Sequence, residues 1–228
     1  MQRRDISFPN PNENILFDEV LWRLAEKHEG GEFLRFWEST EVFIVLGRGG
    51  KQKVDVNLVA TQKDNIPVLR RSSGGGTVVQ GPGCLNYALI LSKQKYPVLN
   101  DLRQSYQWIS TKIIEILRQI GVDAYFRQTS DLAIGPCEKK FSGNAQRRGR
   151  HYILHHGTIL YNFDLTLISR YLNMPTDTPK YRKHRPHTDF VTNIPIDSGR
   201  FKNYLAQSFG ASAPQPPSAQ ELSLLNNI

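Results

Sequence analysis

The stretch Arg70-Arg71-Ser72-Ser73-Gly74-Gly75-Gly76-Thr77-Val78-Val79 constrains this chain more than any other. Glycine takes positive φ at little cost and lets another group approach the main chain closely. A loop with three in a row can turn several N–H donors toward one anion. Two arginines precede the loop, and a β-type run from Thr77 to Val79 follows it. Guanidinium groups match carboxylate and phosphate oxygens. The loop is neither a Walker loop nor a dinucleotide GxGxxG. On its own it reads equally well as a tight hairpin turn with a solvated basic flank.

The length of 228 residues fits one domain with a sizeable core. A hydrophobic content of 39% and a charged content of 22% are those of a soluble globular protein. No apolar run approaches the ~20 residues of a membrane helix. Met1-Gln2-Arg3-Arg4-Asp5 lacks the apolar centre of a secretory signal, so a cytoplasmic location is the expectation. Two cysteines, Cys84 and Cys137, build no disulfide framework. His155 and His156 are adjacent and would point to opposite sides of a strand, which argues against a zinc site.

The net charge of +8 favours an anionic partner, whether nucleic acid, ATP or an acidic protein. Lys139 to Phe163 carries five Lys/Arg and no acid, and Lys180 to Thr188 carries four more with two histidines. Solvated basic faces explain both runs equally well.

Along the chain, Leu16, Val20 and Leu24 predict a first helix capped by Asn12 or Asn14 and ended by Gly30 and Gly31. Glu32–Trp37 and Glu41–Gly47 read as a hairpin. A short helix is expected near 57–63, and Pro67-Val68-Leu69 as a buried strand. Gly81-Pro82-Gly83 reads as the turn of a second hairpin that leads into Asn86–Leu91. Asp101–Ile120 shows one apolar face and is the clearest helix. Strands are expected over 122–127 and 130–134, then over 152–156 and 158–163 with a break at Gly157. A helix over 199–209 precedes an Ala/Ser/Pro/Gln-rich tail, 211–220, expected to be mobile. Hairpins mixed with packing helices make the class α+β.

Further motifs give the glycine loop a context. Lys140-Phe141-Ser142-Gly143-Asn144-Ala145-Gln146-Arg147-Arg148 is followed by His155-His156-Gly157-Thr158-Ile159-Leu160. With Arg70–Gly76 and Gly83-Cys84-Leu85-Asn86-Tyr87, in this order and spacing, they resemble the lipoate–protein ligase A family. The broader group includes octanoyltransferases and biotin ligases. The resemblance runs from about residue 10 to 196. It implies a mixed β-sheet flanked by helices, like that of biotin ligases and class II aminoacyl-tRNA synthetases. It also implies a catalytic domain over 1–197; residues 198–228 read as a C-terminal helix and tail, with no separate accessory domain.

The chemistry implied is ATP- and Mg2+-dependent activation of lipoate or octanoate as an acyl-adenylate. The acyl group then passes to a lysine of an acceptor, either a lipoyl domain of a 2-oxoacid dehydrogenase or the glycine-cleavage H protein. Joining two anions needs neutralised charge and fixed geometry. Lys140 matches the family's catalytic lysine and would bridge carboxylate and α-phosphate. Gly74, Gly75 and Gly76 would meet the phosphate or adenylate through their backbone, with charge from Arg70 or Arg71. Asn86 would hydrogen-bond the ligand, and Asp131 would bind magnesium or orient Lys140. Ser142, Gly143 and Asn144 would shape the nucleotide pocket, and His156 would orient the loop or adenylate. Arg48 matches a position near the nucleotide. Trp37, Val79 and Tyr87 are candidates for the wall of an apolar acyl tunnel, where each buried methylene is worth about 0.8 kcal/mol.

Each of these residues also has a structural reading: Lys140 and Asp131 as a surface lysine and a salt bridge, Asn86 as a turn residue, His156 as a buried histidine. Many bacterial ligases of the family carry a small C-terminal domain, whereas about thirty residues follow Ile196 here. Other members take that domain as a separate subunit or lack it. The octanoyltransferases use a catalytic cysteine in place of ATP, but neither Cys84 nor Cys137 falls where those enzymes place it. A non-catalytic nucleic-acid-binding module is the reading from another class, and no recognition motif supports it.

Overall fold

The computed structural model describes residues 1–228. The chain begins with strand β1 (Gln2–Asp5) and helix α1 (Pro11–Glu26). Asn10, rather than Asn12 or Asn14, caps α1, and Pro11 takes the first helical position, where its missing N–H costs nothing. Asn14 is instead fully buried inside the helix. The helix ends at Lys27, ahead of the two glycines, with His28 at φ +61°. Strands β2 (Phe33–Trp37) and β3 (Phe43–Leu46) follow. They do not form the expected hairpin, because each pairs in a different sheet.

Short helices α2 (Gln52–Asp55) and α3 (Leu58–Lys63) lead to β4 (Val68–Arg70). β4 is only partly buried rather than a core strand. The glycine loop joins it to β5 (Val78–Gln80), and β6 (Cys84–Ser92) lies beyond the Gly81–Gly83 corner. β5 and β6 again part into separate sheets, so the second expected hairpin is also absent. The long helix α4 (Leu102–Gln119) is capped by Asp101, and β7 (Ala124–Arg127) and β8 (Asp131–Ile134) follow it. Then come β9 (Lys139–Arg148) and β10 (Tyr152–Leu160). β10 runs through Gly157 without a break. Helices α5 (Thr166–Tyr171), α6 (His187–Phe190), α7 (Ser198–Ser208) and α8 (Ala219–Leu225) complete the chain.

The seven-stranded sheet has the order β1-β2-β6-β10-β9-β8-β7, and a three-stranded sheet has the order β4-β3-β5. β1 pairs parallel to β2 and the other pairs of the large sheet are antiparallel, so the sheet is mixed. Alternation along its strands sorts their residues onto two faces. Leu34, Leu85, Leu89 and Ile153 join Ile109 and Ile113 of α4 and Phe201 of α7 in the main core. Phe33, Ala88, Ile90 and Leu154 meet Phe17, Val20, Leu21 and Leu24 of α1 on the other face. The small sheet packs Ile44, Leu46 and Val79 against α5 and α6.

The segment after Gly210, expected to be mobile, is tied to the edge of the large sheet. Gln215 N donates to Arg3 O (3.0 Å), and the Arg4 guanidinium meets the carboxylate of Glu221 on α8 (2.8 Å) with both side chains 4% exposed. The unpaired edge of β1 is thereby covered. No helix is long and apolar enough to cross a membrane.

Candidate active site

Lys140 is the second residue of β9, and a bulge decides where it points. Leu132 pairs with Ser142 and Ala133 with Lys140, so Phe141 is the extra residue. Phe141 drops into the main core. The extra residue shifts the alternation by one and brings Lys140 onto the same face as Gly143, which is how bulges re-aim a side chain. The lysine lies across Gly143: a Cβ there would stand 3.0 Å from Lys140 Nζ. Its ammonium is held by Asp131 Oδ1 at 2.7 Å, and the other Asp131 oxygen accepts from the Tyr181 hydroxyl at 2.7 Å.

The glycine loop covers this face two residues further along β9. A Cβ on Gly75 would be 3.6 Å from that of Ala145. Gly75 sits at φ +87°, and its carbonyl leaves no room for a side chain at Gly47. Arg71 is the loop's internal brace. It donates to Gly74 O (2.8 Å), Gly76 O (2.7 Å) and Ser73 Oγ (3.1 Å). Burial pushes its guanidinium down only to about 10, so it stays charged at neutral pH. Arg70 instead donates to the carbonyls of Gly47, Arg48 and Gly50. Both arginines therefore organise backbone, and Arg48 stands exposed beside them.

His155 and His156 do point to opposite sides of β10. His156 Nε2 is 2.6 Å from Ser73 Oγ and its Nδ1 faces Asp18 Oδ2 at 4.0 Å. Burial, with Arg71 and His155 nearby, pushes the ring down to about 3. It is neutral at working pH. With Asp18 facing Nδ1, the Nδ1–H tautomer is favoured and Ser73 donates to Nε2. His155 is fully buried on the α4 side, 3.1 Å from Gln146 Nε2, and burial holds it near 3 as well.

The other expected residues divide by face. Asn86 accepts from Thr158 Oγ1 (2.6 Å) and donates to Gln80 Oε1 (3.0 Å), which bolts the small sheet to the large one. Ser142 and Asn144 alternate with Gly143 and turn to the α4 side. There Asn144 accepts from the Tyr87 hydroxyl and donates to Ser130 O (2.8 Å). Tyr87 thus lies away from the cleft, while Trp37 shares the α1 face with Arg35 and lies 5.4 Å beneath its guanidinium. Gly157 has no alternative, since a Cβ would stand 1.9 Å from Asn144 Oδ1.

The model of the lipoyl protein ligase A/B catalytic domain matches residues 10–210. The chain belongs to this family. It is similar to a probable lipoate-protein ligase A of Mycoplasma pneumoniae, with 34% identity over 155 residues, 67% of this chain and 44% of that protein. The chain therefore spans under half the length of that ligase. An octanoyltransferase LipM of Oceanobacillus iheyensis is 25% identical over 84% of this chain and 75% of its own. Among solved structures, a bipartite lipoate protein ligase of Thermoplasma acidophilum, described with its E2 lipoyl domain, superposes with a TM-score of 0.84. The identity is 21%, over 99% of this chain and 90% of that one. A lipoate-protein ligase A bound with ATP gives a TM-score of 0.78 at 22% identity, over 99% and 92%. The mixed sheet flanked by helices is the fold of these ligases.

Within this ligase-family fold, several site residues carry no motif in the sequence. Arg35 is fully buried and is held by Asp18 Oδ1 (2.6 Å), Asn14 O (2.6 Å) and Asn14 Oδ1 (2.9 Å). Burial pushes the Asp18 carboxyl up and the Arg35 guanidinium down, and their close contact opposes both shifts only in part. Glu19 takes Arg147 at 2.7 Å; burial opposes its charge, but Arg23, Ser72 and Arg147 hold its carboxyl below the ordinary range. Helical spacing from Asn14 to Asp18 is the one signal that places two of these residues on a common face.

Cys84 is fully buried among Ile44, Val79 and Phe163, and burial pushes its thiol up to about 12. A thiol so placed is not a nucleophile at neutral pH. Cys137 is exposed on the turn before β9. Magnesium takes one or two protein carboxylates with substrate phosphates and waters. Asp131, expected to bind magnesium or to orient Lys140, holds the Lys140 ammonium with one oxygen and accepts from the Tyr181 hydroxyl with the other. While Lys140 is paired with it, Asp131 therefore has no free oxygen for a magnesium ion.

Proposed function

We propose that the chain is an ATP-dependent lipoate–protein ligase acting on lipoate or octanoate. The observation that carries this reading is the Lys140 ammonium laid across Gly143, on the face roofed by the glycine loop. In the first step a carboxylate oxygen attacks the α-phosphorus of ATP and pyrophosphate leaves. Lys140 would sit between the two anions and offset their repulsion, and the braced loop would offer backbone N–H groups already in place. Arg71 would add a permanent positive charge beneath the loop. In the second step a lysine amine of the acceptor attacks the acyl carbonyl, AMP leaves, and the amine gives up a proton. The ATP-bound and lipoyl-domain-associated relatives support ATP as co-substrate and a lipoyl domain as acceptor. The bipartite relative supports a separate accessory subunit as part of the working enzyme.

The test is ATP–pyrophosphate exchange with lipoate or octanoate, in the wild type and in Lys140→Ala. Exchange in the wild type, reduced at least a hundredfold in the variant, is expected. Absent exchange with retained transfer from synthetic octanoyl-AMP would point to the missing subunit. Absence of both would remove the ligase reading. The octanoyltransferase similarity favours a second reading, thiol-dependent transfer from octanoyl-acyl carrier protein. An octanoyl group trapped on Cys137 would establish that route, whereas an unmodified protein would exclude it.

A further inference from the structure

The basic segment that follows α5 and runs through α6 to Thr192 has no role in the reading above, yet it grips Lys140 from two sides. Thr192 N donates to Lys140 O (2.9 Å), and Val191 forms a bridge with Lys140, so the segment's end fixes the lysine's backbone. Eleven residues earlier in the chain, Tyr181 reaches the lysine's carboxylate partner, with its hydroxyl 2.7 Å from Asp131 Oδ2. The Tyr181 ring is seated on Phe190 (5.2 Å), and the buried Arg182 lies over the same Phe190 ring (4.7 Å). The tyrosine is therefore part of a packed unit rather than a free surface side chain. Burial and the neighbouring Asp131 charge both push the phenol well up, so it stays a donor at working pH.

We propose that Tyr181 is a positioning residue for Lys140, acting through Asp131. The proposal rests on the ligase reading for its consequence, because a lysine that bridges two substrate anions must first leave its own carboxylate. Asp131 is 7% exposed, and losing Lys140 would strand a buried anion. The Tyr181 hydroxyl keeps one charge-assisted hydrogen bond on that anion while the lysine is away. It also fixes the direction of Oδ1, to which the lysine returns after AMP leaves. Without the hydroxyl the carboxylate would depend on Lys140 alone and hold it back from substrate.

The test variant is Tyr181→Phe, which removes the hydroxyl and keeps the ring on Phe190. Exchange turnover is expected to fall about tenfold, with KM for ATP and for the acid within twofold and an unchanged unfolding midpoint. A parallel readout needs no activity: pulse acetylation of Lys140 by acetic anhydride, followed by mass spectrometry. In Tyr181→Phe the amine, held closer to Asp131, should react about threefold more slowly than in the wild type. Wild-type turnover with wild-type acetylation would overturn the proposal, as would a fall in turnover matched by a lower unfolding midpoint. If the wild type itself shows no exchange, the ligase reading fails, and acetylation alone decides whether Tyr181 restrains Lys140.

Discussion

Asp18 links two kinds of chemistry at one carboxylate, since one oxygen neutralises the buried Arg35 and the other faces His156 Nδ1. Asp18→Asn would leave a cation at 0% exposure with only neutral acceptors, a change that costs about 3–5 kcal/mol in buried pairs. Urea unfolding at pH 7 measures it, and a loss under 1 kcal/mol would mean that Asn14 and the nearby carbonyls suffice. His155 predicts a pH dependence of stability. Its ring is near 3 in the folded chain and near the ordinary histidine value of 6.5 when unfolded. Between those values only the unfolded state binds the proton, so stability falls as pH drops below 6.5. At pH 5 the loss from this one ring is about 2 kcal/mol relative to pH 7. His156, whose side chain is 20% exposed, adds less. His155→Phe should flatten the slope between pH 7 and 5, and an unaltered slope would assign it elsewhere.

At the scale of elements, the pairing of β9 with β8 and β10 builds the site. The bulge at Phe141 turns Lys140 toward Gly143, and the tight crossing at Gly157 lets Asn144 fasten β9 to Tyr87 of β6. Gly157→Ala would drive a methyl to 1.9 Å from Asn144 Oδ1 and 2.8 Å from the Tyr87 hydroxyl. Overpacking of this kind costs about 1–3 kcal/mol. Gly74→Ala is the control, because nothing lies within 4 Å of the added atom. A thermal midpoint lowered in the first variant and unchanged in the second is expected. Equal midpoints would show that β10 can shift to admit the methyl. Gly74→Ala also reports on the loop, where reduced exchange with an intact fold would mark close ligand approach.

Across the whole molecule, positive charge gathers near Lys140. Lys180, Lys183 and His184 are exposed in the segment that carries Tyr181, whereas Arg182 is buried and donates to Arg185 O (2.9 Å). Arg182 is thus a packing residue and drops out of any docking face, although the sequence sets it in the same basic run. An acidic acceptor should meet the exposed lysines. Lys180→Glu combined with Lys183→Glu is expected to raise the acceptor's KM severalfold, with a weaker salt dependence, and to leave exchange unchanged. An unchanged KM would place docking on another face. The C-terminal segment contributes at this scale too. By covering the edge of β1 and burying Glu221 against Arg4, it makes the last residues part of the sheet's closure.

The sequence by itself determined many of the elements, though not β1, β9 or α8, and it determined which motifs belong together. α4 followed from its apolar stripe, the opposed His155 and His156 from strand alternation, and the family from four motifs in order. These signals are local, set by periods of two or 3.6 residues and by backbone freedom at glycine. Only the tertiary structure decided which strands pair, because β2 and β3, or β5 and β6, look alike as neighbours until each meets its own sheet. It alone set the direction of Lys140, which hangs on one extra residue in a ladder. It alone made Arg70 and Arg71 braces of the backbone, buried Asp18 against Arg35, and brought Tyr181 to Asp131 across 50 residues. Those contacts join positions far apart in the chain, and local periodicity carries no record of them.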